Sequence, residues 1–139
     1  MITPYLLFYG QCKDALKFYQ AAFHSDDPKI MNYGDYMPDG SETPQELLRD
    51  WVMHGEMSIC GTNAWFADEA VPRKVGNNVE LSVTVPSAAE AVSIFDALKE
   101  DGEVSLPPTE TFYSVFHAGV TDKFGVHWNV IAEEAPSRP

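Results

Sequence analysis

TPYLLFYGQCKDALKFYQAAF, residues 3–23, reads as a strand running into a helix. Residues 3–9 are dense in aromatic and apolar side chains and stop at Gly10, the pattern of a buried strand. From there Cys12, Ala15, Leu16, Tyr19, Ala22 and Phe23 recur at helical spacing, with Lys13, Asp14, Lys17 and Gln20 opposite. The second half of the chain repeats this grammar. VELSVTV (79–85) alternates as a strand, and PSAAEAVSIFDALKE (86–100) follows as a helix opened by Pro86 or Ser87. Its apolar stripe is Ala88, Ala91, Val92, Phe95 and Leu98. Setting Ala15 over Ala91, a shift of 76 positions, brings Tyr5 over Leu81 and Tyr19 over Phe95.

A second match follows each helix. VMHGEMS (52–58) lies over VFHAGVT (115–121) at a shift of 63, so His54 falls on His117. The smaller shift leaves extra residues in the first half, in the polar stretch YGDYMPDGSETPQELLRD (33–50), with turn chemistry at PDG and one short helical turn at PQELL. NAWFA (63–67) and HWNVIA (127–132) then supply a last strand to each half. The expected fold is α+β: one domain over 1–139, built from two βαβββ repeats spanning about 3–67 and 78–132 and joined by DEAVPRKVGN (68–77). One such unit leaves a sheet face bare, so two are expected to share an interior.

Composition sets the outer bounds. The chain has 139 residues, 45% of them apolar and 12% aromatic, which suits a single globular domain of this length. Against 9 basic residues stand 21 acidic ones, a net charge of −12 that repels phosphate backbones and anionic lipid surfaces. Nucleic acid and membrane are therefore not expected partners. Cys12 and Cys60 form no CxxC pair and read as small buried hydrophobes. The opening MITPYLLFYGQ has no basic region ahead of its short apolar run, so the cytoplasm is the expected location. The tail AEEAPSRP is expected to fray.

PYLLFYGQCKDALKFYQAAF, HGEMSICG with WFADEAVP, and TETFYSVFHAGVTDKFGVHWNV together resemble the PhnB-like branch of the vicinal oxygen chelate superfamily. That superfamily holds glyoxalase I, extradiol dioxygenases, and fosfomycin- and bleomycin-resistance proteins. The resemblance runs from about residue 3 to 132, and VTDKFGVHW (120–128) is its most specific piece. It implies paired βαβββ modules, a homodimer, and a concave mixed sheet that cups a small molecule. Many proteins of this branch are named for a ubiquinone-pathway methyl transfer. The sequence gives that no support, because no glycine-rich turn joins a strand to a helix as a nucleotide-like methyl donor requires.

Metal-using members place a His or Glu on the first and last strand of each repeat. Carried over through the two shifts, those corners are Pro4, Phe66, Glu80 and Asn129, of which only Glu80 is a competent ligand. The usual metal site is expected to be lost, since such sites need three or more His, Cys or carboxylate donors. A second constellation lies on WVMHGEMSI, where alternation puts Val52, His54, Glu56 and Ser58 on one face and Trp51, Met53, Gly55, Met57 and Ile59 on the other. His117 shares a face with Tyr113, Val115 and Thr121. Were both faces to line one cavity, His54, Glu56 and His117 could act as an acid–base group or bind a divalent metal. The plainer reading makes each His a half-buried strand residue satisfied by a neighbour. His24 and His127 fit that plainer role, and Trp51, Trp65 and Trp128 read as core or interface.

The expected function is small-molecule binding without the usual metal centre and with no cofactor, through Phe8, Phe66, Glu80, Tyr113 and Asn129. The alternative is an isomerase, lyase or dioxygenase acting on a small oxygenated metabolite, either with a divalent metal held by His54, Glu56 and His117 or metal-free with Glu80 or a His as the base. The NYGDYMPDG loop (32–40) reads as a candidate lid, and Asp26, Asp27, Asp35, Asp39 and Glu42 as solvating loop acids.

Overall fold

The computed structural model describes residues 1–36 and 46–137, with the backbone alone for 46 and 47. The PDG turn, the candidate lid from residue 37 onward, Asp39 and Glu42 lie outside the described residues. In chain order the elements are β1 (Tyr5–Phe8), α1 (Cys12–Phe23), β2 (Lys29–Asn32), α2 (Tyr33–Tyr36), a 3-10 turn (Glu46–Asp50), β3 (Val52–Ile59), β4 (Thr62–Asp68), β5 (Leu81–Val85), α3 (Ala88–Leu98), β6 (Glu103–Thr109), β7 (His117–Thr121) and β8 (His127–Ala132). They form two compact units, Met1–Lys74 and Val75–Pro139. Each carries one four-stranded mixed sheet, ordered β1-β4-β3-β2 in the first and β5-β8-β7-β6 in the second. The first strand of each unit runs parallel to the last, and the remaining neighbours are antiparallel. The βαβββ repeat is thus present twice, with the same strand order.

In the first unit α1 covers one sheet face. Cys12, Ala15, Leu16, Tyr19, Ala22 and Phe23 are all buried, so the periodic stripe and the packed stripe coincide. Gly55 lies under the helix, where a Cβ would meet Leu16 Cδ1 at 3.4 Å and Phe66 Cβ at 3.6 Å, ordinary packing distances. No side chain of Gln11 caps α1. The buried carboxylate of Asp68 does that work instead, accepting from Cys12 N at 3.1 Å and, through its other oxygen, from Val52 N at 3.0 Å. One acid thereby ties the helix start to β3. The Cys12 thiol is pushed up strongly, first by burial and then by Asp68, which leaves it inert.

In the second unit Ser87 caps α3, its Oγ accepting from Glu90 N at 3.2 Å. Here the expected stripe needs correction. Ile94 is buried, while Val92 is 41% exposed, so the buried set is Ala91, Ile94, Phe95 and Leu98. Phe95 meets Phe116 edge-on at 5.8 Å between ring centroids.

VTDKFGVHW is a folded hairpin. Asp122 Oδ1 accepts from Phe124 N and Val126 N, and Oδ2 accepts from Trp128 Nε1 at 2.9 Å. Gly125 supplies the φ of +88° that closes the turn. The start of the tail is also held. Glu133 N donates to Val85 O, Val115 N to Glu134 O, and Ala88 N to the Glu134 carboxylate, so Glu133 and Glu134 do not fray as expected. Cys60, expected to be buried, is exposed in the β3–β4 turn, where φ is +47°. Among the described residues, no helix is long and apolar enough to cross a membrane.

Candidate functional site

Each sheet has a face opposite its helix, and strand register decides which side chains stand there. In the first unit Tyr5 pairs with Trp65 and Leu6 with Phe66, and Glu56 lies opposite Trp65 on β3. Phe66 is fully buried, with its ring 6.1 Å from that of Tyr19 on α1. Alternation then sends Leu6, Phe8 and Phe66 toward the helix, and Tyr5, Trp65, His54 and Glu56 to the other side. Phe8 is only 6% exposed. Neither Phe8 nor Phe66 therefore lies on the face where a ligand wall was expected; both are core.

The same register corrects the corner positions. In the second unit Ser82 pairs with Asn129 and Val83 with Val130. Half-buried Leu6 and buried Phe66 are thus the counterparts of the buried pair Val83–Val130. Matching faces in this way puts Thr3, not Pro4, at the position of Glu80, and Trp65, not Phe66, at the position of Asn129. Both expected correspondences were one residue out, and one residue reverses the face. Val52 departs as well. The register shifts where Met31 faces His54 and Asn32 faces Val52, and this bulge turns Val52 into the core beside Gly55.

The helix-free face of the first unit holds a compact cluster. The rings of Tyr5, His54 and Trp65 meet edge-on, with centroids 6.0, 5.6 and 5.5 Å apart. His54 Nε2 lies 3.5 Å from Glu56 Oε2, and Asn63 Nδ2 donates to Glu56 Oε1 at 2.7 Å. Donation from Asn63 first, then the neighbouring His54 and Lys29, hold the Glu56 carboxyl below its ordinary 4.5. Glu56 is thus an ionised acceptor at neutral pH. Asn63 and Tyr5 were not read as site residues from the sequence, and Trp65 was read as core or interface, because all three reach His54 and Glu56 only through cross-strand register.

The second unit assembles four of the expected residues into one chain. Tyr113 Oη stands 2.6 Å from His117 Nδ1, His117 Nε2 stands 3.3 Å from Asn129 Oδ1, and Asn129 Nδ2 donates to Glu80 Oε2 at 2.6 Å. The loop that carries Tyr113 is closed by Thr111 N donating to Ser114 O and by buried Ser114 Oγ donating to Ala132 O. Phe112 beside it is 78% exposed and meets the Tyr113 ring edge-on at 5.2 Å. His127 is engaged elsewhere, between the Thr121 hydroxyl at 2.7 Å and the Gly76 carbonyl at 2.8 Å. His24 ends α1 in a left-handed conformation.

His54 and Glu56 belong to the first unit, and His117, Glu80, Asn129 and Tyr113 to the second. Among the described residues, no three His, Cys, Asp or Glu side chains are grouped so as to hold a metal ion. The four face-matched corners, Thr3, Trp65, Glu80 and Asn129, offer a single carboxylate and no imidazole, which does not fit a divalent transition metal.

The family model of 3-demethylubiquinone-9 3-methyltransferase matches residues 1–131. Protein PA1353 of Pseudomonas aeruginosa is 30% identical, with a TM-score of 0.79, over 96% of this chain and 97% of that one. The PhnB protein of Bacillus cereus is 24% identical with a TM-score of 0.75, over 94% of this chain and 98% of that one. The fosfomycin resistance protein FosX of Listeria monocytogenes shares the fold at 8% identity and a TM-score of 0.64, over 98% of this chain and 92% of its own.

Proposed function

The chain belongs to the 3-demethylubiquinone-9 3-methyltransferase family, the PhnB-like branch of the vicinal oxygen chelate superfamily, and from that membership we propose that it binds a small molecule. The proposed form is a cytoplasmic homodimer that holds its ligand against the helix-free sheet face of the second unit. One observation carries the reading: Tyr113, His117, Asn129 and Glu80 partner one another on a single face beside an exposed aromatic ring. Tyr113 and Phe112 offer exposed aromatic rings set edge-on to one another, and their hydrogen-bonded neighbours offer polar groups, the usual make-up of a small-ligand site.

The reading does not extend to methyl transfer. Neither strand-to-helix turn fits a nucleotide-like methyl donor. The Gly10 turn is filled, since a Cβ there would stand 2.8 Å from the Trp51 ring, and the turn from β5 to α3 runs through Pro86 and Ser87. Tyr113→Ala is expected to weaken binding of any hit from a fragment screen by tenfold or more while leaving thermal stability within a few degrees. Unchanged affinity would remove this face from the proposal.

A second reading, acid–base catalysis in the first unit, is favoured by the His54–Glu56 contact of 3.5 Å. Such a pair suits proton transfer on a small oxygenated metabolite, in the manner of an isomerase or lyase. Glu56→Gln is expected to abolish turnover of a substrate found by metabolite screening. Equal rates in the two proteins, with equal metal content by elemental analysis, would end this reading.

A further inference from the structure

We propose that the second unit presents the Tyr113 phenolic oxygen as a fixed hydrogen-bond acceptor. Its ligand is then a small aromatic or apolar molecule with a hydroxyl or protonated-amine head, and carboxylates and phosphonates are rejected. The inference rests on the small-molecule reading above and adds the polarity of the site.

The hydrogens are ordered along the chain from its charged end. An ionised carboxylate only accepts, so Glu80 requires the amide NH2 of Asn129 to point at it, as it does at 2.6 Å. The Asn129 carbonyl is thereby turned to His117 Nε2, 3.3 Å away, and a carbonyl also only accepts. A neutral His117 must therefore carry its proton on Nε2, which leaves a lone pair on Nδ1. That lone pair faces the Tyr113 hydroxyl at 2.6 Å and takes its hydrogen. With its only hydrogen committed inward, Tyr113 oxygen has lone pairs alone to offer a ligand. Each link fixes the next, and Glu80, Asn129 and His117 act as positioning residues for an oxygen they do not touch in common.

Two further features set the ligand class. Phe112 and Tyr113, 78% and 44% exposed, give an edge-on aromatic pair against which a ring can pack. The one formal charge within the chain of four is the Glu80 carboxylate, and the protein as a whole carries −12, so both local and overall fields oppose an anionic head.

The test uses four probes with one ring and different heads: benzyl alcohol, benzylammonium, benzoate and phenylphosphonate. Nitrogen-15 spectra of the imidazoles report the His117 tautomer, and backbone shifts at 112–118 report binding. Expected are an Nε2–H tautomer in the free protein, shifts with the alcohol and the ammonium, and none with the two anions. Tyr113→Phe keeps the ring and is expected to weaken the alcohol three- to tenfold, the worth of one hydrogen bond. Glu80→Gln can donate as well as accept, so it is expected to mix the two tautomers and blur the preference between heads. An Nδ1–H tautomer, or anions that shift these residues as strongly as the alcohol, would overturn the acceptor assignment while leaving small-molecule binding intact. Silence from all four probes, and from a broad fragment set, would remove both.

Discussion

At the scale of single residues, Glu56 shows how one neutral donor favours the ionised form of a carboxyl group. Asn63 contributes most to its lowered value, ahead of His54 and Lys29. Asn63→Ala is expected to move the Glu56 titration up toward 4.5, read from side-chain carboxyl carbon shifts. The sign for stability follows from the direction. A value depressed in the folded state stabilises fully above the ordinary 4.5, and that stabilisation is lost as pH falls through the depressed value. The variant should therefore lose stability less steeply on acidification than the parent. An unmoved titration would mean that Asn63 and Glu56 do not hold their contact in solution. Asp68 and Asp122 are a different kind of acid: buried, filled by backbone and indole N–H donors, and occupied with holding α1 and the β7–β8 hairpin in place.

At the scale of elements, β4 divides its residues between two roles with period two. Ala64, Phe66 and Asp68 are buried on the α1 side, whereas Trp65 stands with Tyr5 and His54 on the other. Phe66→Ala is accordingly expected to cost about 3–5 kcal/mol of folding stability in urea denaturation, the usual range for a large cavity in a core. A loss below about 1 kcal/mol would put Phe66 on the open face and undo the register assigned here. The edge strand β6 carries Pro107 and Pro108 and is exposed along its whole length, a composition that discourages pairing with a foreign strand.

At the scale of the whole molecule, charge governs association. Two chains of −12 repel at long range, and salt screens that repulsion over about 8 Å at physiological ionic strength. The proposed homodimer is therefore expected to sediment at twice the 15.5 kDa chain mass at physiological salt, and to dissociate in part at low salt. A single 15.5 kDa species at every salt concentration would rule out the dimer.

How far the sequence alone carried the structure differs by element. α1 was legible residue by residue, because a 3.6-residue period over twelve positions leaves one stripe that can face a sheet. The doubled order of strand, helix and three strands was legible too, since the two halves share it once the longer polar stretch of the first is allowed for. α3 was legible in extent but not in face, since Val92 and Ile94 are both apolar and only packing chose between them. The roles of Phe8, Phe66 and Pro4 were not legible. A strand's two faces differ by one residue, and neither a shift of 76 nor one of 63 fixes alignment that finely. Glu80, Asn129, His117 and Tyr113 could be named from their chemistry, but three strands and a loop had to fold before their hydrogen bonds could point one way. Local periodicity decided the elements. Register, which exists only between strands, decided the site.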